Sequence, residues 1–339
     1  MTEYFIDDIR EKSVKLLTQY ALAEDKAGVL VDSMLSADMS GVSSHGIKML
    51  IPYVRKLEKG EFSLEDITIE KQTPGFTLVN ANNAIGAISA DHCVDIAIEQ
   101  AKTNGVHIVW AKNCNTLGPA FYYVEKIANN NMIGFTCCNS PSTMPVFNGL
   151  EPMLGTNPFA FSCPSASKGN ILIDMATSVV AKSKFEMCRI AGTKLEPGWA
   201  LDKDGNPTVD PVDAINGLVL PMAGFKGYAI AMMIDIMSGV LSGSAYLSNV
   251  NKFYSQNGMG MNVGQMFMAI SPELIFGEGF LAEMDQYLDA VRSSKAVEGK
   301  MIAVPGDDRQ TKKEAAIESK KIAISDEIAV ELEKLFSKK

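Results

Sequence analysis

Histidine is scarce in this chain: His45, His92 and His107 are the three in 339 residues. Any imidazole proton transfer must use one of them. Several chemical signatures are missing altogether. No GxGxxG follows a candidate strand and no GxxxxGK[ST] loop occurs, which excludes the usual dinucleotide fingerprint and a P-loop. There is no HExxH helix and no GxSxG nucleophile elbow. The six cysteines, Cys93, Cys114, Cys137, Cys138, Cys163 and Cys188, form no CxxC pair. They read as buried reduced thiols, and no metal site is expected. No apolar run is long enough to span a membrane. The N-terminus, MTEYFIDDIREK, lacks the basic and apolar regions of a signal peptide, which points to a cytoplasmic protein with no membrane partner. Net charge is −9, and no basic cluster precedes the last thirty residues, which argues against nucleic acid as a partner.

What is present is an alternation of elements. Ile6 to Leu22, a second helix from Asp25, and Ile47 to Lys59 have helical apolar spacing. The turn Met39-Ser-Gly-Val-Ser-Ser-His-Gly46 lies between the last two. After Gly60 the pattern shifts to strands at 67–69 and 76–79, a helix at 87–103, a strand at 106–110, a helix at 117–129 and a strand at 132–138. That order implies an α/β core. Residues 192–211 read as a long irregular segment. Tyr228 to Ser242 is apolar almost all round, which implies burial or a subunit interface. A strand at 263–270, a helix at 274–293, a short strand at 302–304 and an amphipathic helix at 325–336 complete the chain. The expected division is a helical part, 1–70, packing with the C-terminal segment 300–339, and a cofactor-binding α/β domain, 71–299.

The most informative stretch is Leu154 to Lys184, LGTNPFAFSCPSASKGNILIDMATSVVAKSK. The apolar run Ile171-Leu-Ile173 ends in Asp174. A carboxylate at the end of a buried strand is costly unless a helix N-terminus, a ribose hydroxyl or a cation meets it. The plainer alternative is that Asp174 caps a helix opening near Thr177. Other polar candidates at strand ends or glycine turns are His45, Ser140, Lys226 in Gly224-Phe-Lys-Gly227, and Pro305-Gly-Asp-Asp308, where ligand sites collect. His45 is of a class suited to proton transfer near neutral pH. Its plainer reading is a structural turn residue.

These residues also carry a resemblance. Ser44-His-Gly-Ile47 with Tyr53-Val-Arg55, Gly118 with Tyr122-Tyr123, Asn139-Ser-Pro141, LGTNPFAF, ILIDMATS, EPGWALDKDGNPTVDP, Gly-Phe-Lys-Gly and VPGD run in order across nearly the whole chain. In these the chain resembles the type-2 malate/L-lactate dehydrogenase family, which includes ureidoglycolate, sulfolactate and diketogulonate dehydrogenases and a cyclic-imine reductase. The resemblance implies a non-Rossmann NAD(P)-binding fold with a mixed sheet and a separate helical layer. It implies NAD(H) or NADP(H) as cofactor and a homodimer. His45 matches the catalytic histidine. Ser140, Asp174, Met175, Ala176, Lys226, Gly306, Asp307 and Asp308 match cofactor contacts. The implied activity is hydride transfer between NAD(P)H and a small 2-oxo or 2-hydroxy acid. A cyclic-imine (ketimine) reductase, or a divergent nucleotide-binding member, is the alternative. Three positions depart from the family pattern: Met49 stands where an arginine clamps substrate, and Thr116 and Gln265 replace histidines. Lys48 and Thr116 are the remaining candidates for substrate contact. Asp307 and Asp308 would repel a 2′-phosphate, while Lys312 and Lys313 would attract one.

Overall fold

The computed structural model describes residues 1–254 and 258–337. Strand β1 (Thr2–Phe5) leads into helices α1 (Ile6–Thr18), α2 (Glu24–Met39) and α3 (Leu50–Glu58). Next come β2 (Thr68–Gln72), β3 (Phe76–Asn80), α4 (Gly86–Asn104), β4 (Val106–Cys114), α5 (Ala120–Ala128) and β5 (Ile133–Cys138). Short strands β6 (Met144–Pro145) and β7 (Pro152–Leu154) precede β8 (Phe159–Cys163) and β9 (Ile171–Met175). A smaller region holds α6 (Ser183–Ala191), β10 (Ala200–Leu201), β11 (Pro207–Thr208), α7 (Pro211–Asn216) and β12 (Leu218–Val219). Helix α8 (Phe225–Ile234) continues as a π-helical turn, Asp235–Val240. The chain ends with β13 (Val263–Ile270), α9 (Pro272–Ile275), α10 (Phe280–Arg292), α11 (Asp307–Ser319), β14 (Lys321–Ile324) and α12 (Asp326–Phe336).

The main sheet has the order β2-β3-β4-β13-β5-β8-β9. It is mixed: β3 and β4 run parallel, joined by the crossover helix α4, and the other pairs are antiparallel. Strand β13, late in sequence, inserts between β4 and β5 and sets Met266 opposite both Trp110 and Cys137. Helical spacing and burial agree in the helical layer, where α1 buries Ile9, Val14, Leu16 and Leu17, and α2 buries Leu30, Val31, Met34 and Leu35. One apolar cluster runs from Ile9 and Leu17 through Val94, Val109, Phe121 and Phe267 to Leu332. The α/β class read from the element order, and the mixed sheet that the resemblance implies, therefore hold.

Several local expectations do not. No helix opens near Thr177: its N–H donates to Thr156 O and its carbonyl accepts from the Met222 N–H, both at 2.9 Å, so the helix waits until Ser183. No strand forms at 302–304, where the Val304 N–H turns back to the Asp307 carboxylate at 2.8 Å. The helix expected over 274–293 is broken into α9 and α10 at Gly277, whose φ of 100° no helix accommodates. Helix α5 starts at Ala120, not Leu117, because Gly118 has φ 81° and Pro119 is extended. The segment 192–211 is not wholly irregular; its β10 and β11 join β12 in a small sheet. The apolar helix from Tyr228 is not covered within this chain, since Met233, Ile236, Val240 and Leu241 are about half exposed. Strands β1 and β14 were not expected. They pair antiparallel, Thr2 opposite Ile324, and tie the two ends of the chain together.

Candidate active site around His45

His45 ends a 3-10 turn, Ser43–His45, between α2 and α3. Two features hold that turn. The Ile47 N–H donates to Asp38 Oδ2 at 2.6 Å from the last turn of α2. Gly46 lies so close to the same carboxylate that a Cβ there would come within 1.9 Å of Asp38 Oδ1. The glycine is required by close approach, not by turn type. Partial burial pushes the Asp38 carboxyl up to about 6 against the pull of Ile47 and Lys48.

The half-buried His45 contacts Ser44 Oγ through Nδ1 at 2.9 Å, which leaves Nε2 for other partners. Desolvation pushes its pKa below the ordinary imidazole value, the Asp174 charge raises it, and the Lys48 charge lowers it. The other two histidines are engaged differently. His107 is buried between Thr77 Oγ1 at 2.9 Å and Pro74 O at 3.0 Å, and His92 is exposed on α4. His45, Lys48 and Thr116 line one cavity of about 270 Å³ with Met49, Tyr53, Phe253 and others. Gln265 does not reach it. Its side chain is buried in β13 and donates to Asn115 O at 3.0 Å.

Asp174 closes β9 on the His45 side. It does not cap a following helix; it meets a different helix and a cation. One carboxylate oxygen accepts from the Phe121 N–H at the start of α5, at 3.2 Å, and lies 3.4 Å from Arg309 Nη1. Arg309 Nη2 donates to the Asp174 carbonyl at 3.2 Å, and the guanidinium stacks on the Phe121 ring at 4.8 Å. Burial still pushes the Asp174 carboxyl above its ordinary value, with Arg309, Phe121 and His45 pulling it down. Sequence reading missed both Arg309 and Asp38. A signal existed for each: Arg309 stands in the first turn of α11 and Asp38 in the last turn of α2, the unfavourable end of each helix dipole, so each needs an opposite charge or a donor close by.

The segments expected to touch a cofactor form a connected band. The Ser140 N–H donates to Asn157 Oδ1 at 3.0 Å, and Ser140 Oγ accepts from the Asn157 N–H at 3.3 Å. Asn157 Nδ2 donates to Ala231 O of α8 at 2.9 Å. Thr156 holds Thr177, and Thr177 holds Met222. A Cβ on Gly227 would fall 2.3 Å from Met222 O, so the helix start that carries Lys226 packs directly on this band. Lys226 is exposed, with no acidic partner among the described residues. Met175 is exposed, and Ala176 is half-buried beside it. Gly306 packs on β9, where a Cβ would meet Leu172 Cβ at 2.9 Å, and Pro305 O accepts from the Leu172 N–H at 2.9 Å. Arg309 thus joins the start of α11 to Asp174. The acids in the first turn of α11 are committed elsewhere: Asp307 pairs with Arg292 at 2.8 Å, and Asp308 with Lys312 at 2.6 Å. Lys313 pairs with Glu125 at 2.6 Å. The opposing charges weighed for a 2′-phosphate are therefore all paired. The band thus holds a free lysine, a serine hydroxyl and backbone groups at strand and helix ends, and its Asp174 acts on His45; groups of this kind suit the phosphates and amide of a dinucleotide.

Five cysteines are buried and Cys188 is half-buried, none in a disulfide. Among the described residues no group of His, Cys, Asp and Glu is placed to hold a metal ion, and no helix is long and apolar enough to cross a membrane.

The family profile described as malate/L-lactate dehydrogenase matches residues 5–333. The chain is 34% identical over 338 residues to the malate/(S)-sulfolactate dehydrogenase of Methanothermus fervidus, covering 96% of this chain and 98% of that protein. It is 33% identical over 316 residues to the ureidoglycolate dehydrogenase (NAD(+)) of Escherichia coli K12, covering 92% and 89%. The solved sulfolactate dehydrogenase from Methanocaldococcus jannaschii superposes with a TM-score of 0.92 at 30% identity, covering 98% of this chain and 96% of that one.

Proposed function

This chain belongs to the malate/L-lactate dehydrogenase family and is an NAD(P)-dependent oxidoreductase, and from that premise we propose that it reduces a small 2-oxo acid, or oxidises the matching 2-hydroxy acid, with His45 as the proton donor. The observation that carries this reading is the single cavity that His45 shares with Lys48 and Thr116, with Asp174 acting on the imidazole. A reduced nicotinamide, when bound, would supply the hydride that the oxo acid takes up at carbon 2. The protein does the rest. Lys48 forms no close ion pair among the described residues, although its charge acts on Asp38, and it offers an ammonium to the substrate carboxylate. Thr116 offers a hydroxyl. Ser44 fixes the ring through Nδ1, so Nε2 is the nitrogen that gives a proton to the carbonyl oxygen. The Asp174 charge opposes the loss of that proton from a half-buried imidazole.

Cofactor binding is assigned in this proposal to Ser140, Asp174, Met175, Ala176, Lys226 and Gly306. Asp307 and Asp308 border the same band through their backbone, since their carboxylates are engaged. The division into a helical part, 1–70 with 300–339, and an α/β body, 71–299, is part of the reading; the pairing of β1 with β14 supports it. So is the homodimer, which the exposed apolar face of Met233, Ile236, Val240 and Leu241 favours. Turnover of 2-oxo acids and cyclic imines with NADH and with NADPH, followed at the nicotinamide absorbance, tests the function. Reduction of 2-oxo acids is expected. Cofactor binding without turnover of any member would leave the nucleotide-binding alternative instead.

A further inference from the structure

Resting on the reading above, we propose that the His45 cavity selects a substrate with one carboxylate and an apolar remainder, and discriminates against dicarboxylates and sulfonates. The cavity's size and lining carry this. At about 270 Å³ it is at the small end of ligand pockets and suits a compact acid, not a dinucleotide. Besides His45, Lys48 is the single charged side chain among its lining residues. One ammonium matches one carboxylate. The position next to it, Met49, is a thioether, held by the Tyr254 hydroxyl at 3.8 Å from Sδ.

Much of the remaining wall is apolar, Leu30, Met34, Met49, Ala87 and Phe253, with the hydroxyls of Ser33, Tyr53, Ser183 and Tyr254 among them. A second anionic group on the substrate would find hydroxyls there but no second cation, and a carboxylate without a counter-charge is disfavoured in such a cavity. Two other lysines lie close in sequence to lining residues: Lys182 beside Ser183, and Lys252 beside Phe253. Neither lines the cavity, and the Lys182 ammonium is directed to Gly217 O at 3.5 Å. An alkyl group on the substrate meets carbon and sulfur on this wall and gains by leaving water. The position of Lys48 adds a coupling. Its charge lowers the proton affinity of His45, so a carboxylate that neutralises Lys48 favours the protonated imidazole as the substrate arrives.

The test compares 2-oxopentanoate and 4-methyl-2-oxopentanoate with oxaloacetate and sulfopyruvate, for the wild-type enzyme and for Met49→Arg. The apolar acids are expected to lead in kcat/KM by roughly 100-fold. Met49→Arg, which puts a cation on the wall, is expected to shift that ratio toward oxaloacetate by at least about 10-fold. Equilibrium binding by calorimetry gives a readout independent of turnover: N-isopropyl oxamate is expected to bind wild-type enzyme more tightly than hydroxymalonate. Preference for oxaloacetate or sulfopyruvate overturns this inference while leaving the dehydrogenase reading intact. If no 2-oxo acid is turned over, that reading fails, and the binding comparison alone decides the inference. Tighter hydroxymalonate binding, or no binding of either, overturns it.

Discussion

Two carboxylates flank the turn that carries His45, Asp38 from the end of α2 and Asp174 from the end of β9. Both are partly buried, and burial pushes both upward, Asp38 to about 6. Their partners differ in kind. Asp38 is met by a backbone N–H, Ile47 at 2.6 Å, and packs against the Gly46 backbone. Asp174 is met by the Arg309 guanidinium and the Phe121 N–H, and its charge reaches His45. At position 38 the turn needs an acceptor of a given shape. At position 174 the site needs a negative charge. A neutral isostere should therefore be tolerated at the first position and felt at the second.

The largest expected effect removes what both carboxylates serve. His45→Ala should lower turnover per active site by roughly 10²–10⁴-fold, the usual contribution of a general acid, with cofactor affinity nearly unchanged. Sites are counted by cofactor titration, so a loss of folded protein is not mistaken for a loss of chemistry. Near wild-type turnover in the folded variant would return His45 to a structural turn residue.

Asp174→Asn should come next. The amide can still accept from the Phe121 N–H but leaves Arg309 without its counter-charge, while it relieves the burial that pushes the carboxyl upward, so the net change in stability is expected to be small. Denaturant unfolding measures this. The reduction rate should also fall at a lower pH than in wild type, because the raising influence on the imidazole is gone. Lys48→Met should shift the same inflection to higher pH, since it removes a lowering influence, and should raise KM. Shifts of opposite sign in these two variants would show that local charge, not general disturbance, sets the profile.

Asp38→Asn should be the mildest in activity and show itself in stability instead. The folded carboxyl titrates near 6 and the unfolded one near 3.8. The folded protein thus holds an extra proton in that window, and the stability it gives is complete below 3.8 and lost as pH rises through 6. At pH 7.5 the wild type carries that penalty, up to about 3 kcal/mol, and the asparagine does not. Asp38→Asn should unfold at higher denaturant than wild type at pH 7.5, with turnover little changed. Lower stability at that pH would show that position 38 needs its charge after all.

The same contrast explains what could be read before the structure. Helices α1, α2 and α4 declare themselves by period, because each buries an apolar stripe, and strands β4 and β13 by short apolar runs. Asp174 was legible as a carboxylate needing a partner, and His45 as the polar histidine in a glycine turn. The partners were not legible. Arg309 lies 135 residues from Asp174 in sequence, and β1 pairs with β14 across more than 300 residues. The false helix at Thr177 failed for the same reason: its backbone groups are taken by Thr156 and Met222 of neighbouring loops, which no local pattern encodes.

The scarcity of histidine makes the central claim directly measurable. With three imidazoles in the chain, the His45 signals are readily assigned by ¹H–¹⁵N NMR and followed against pH. The account predicts that His45 in the wild type titrates below the ordinary imidazole value, moves lower still in Asp174→Asn, and stays in place in Asp38→Asn. A His45 titration at the ordinary value in all three proteins, or one that moves equally in both variants, would contradict it.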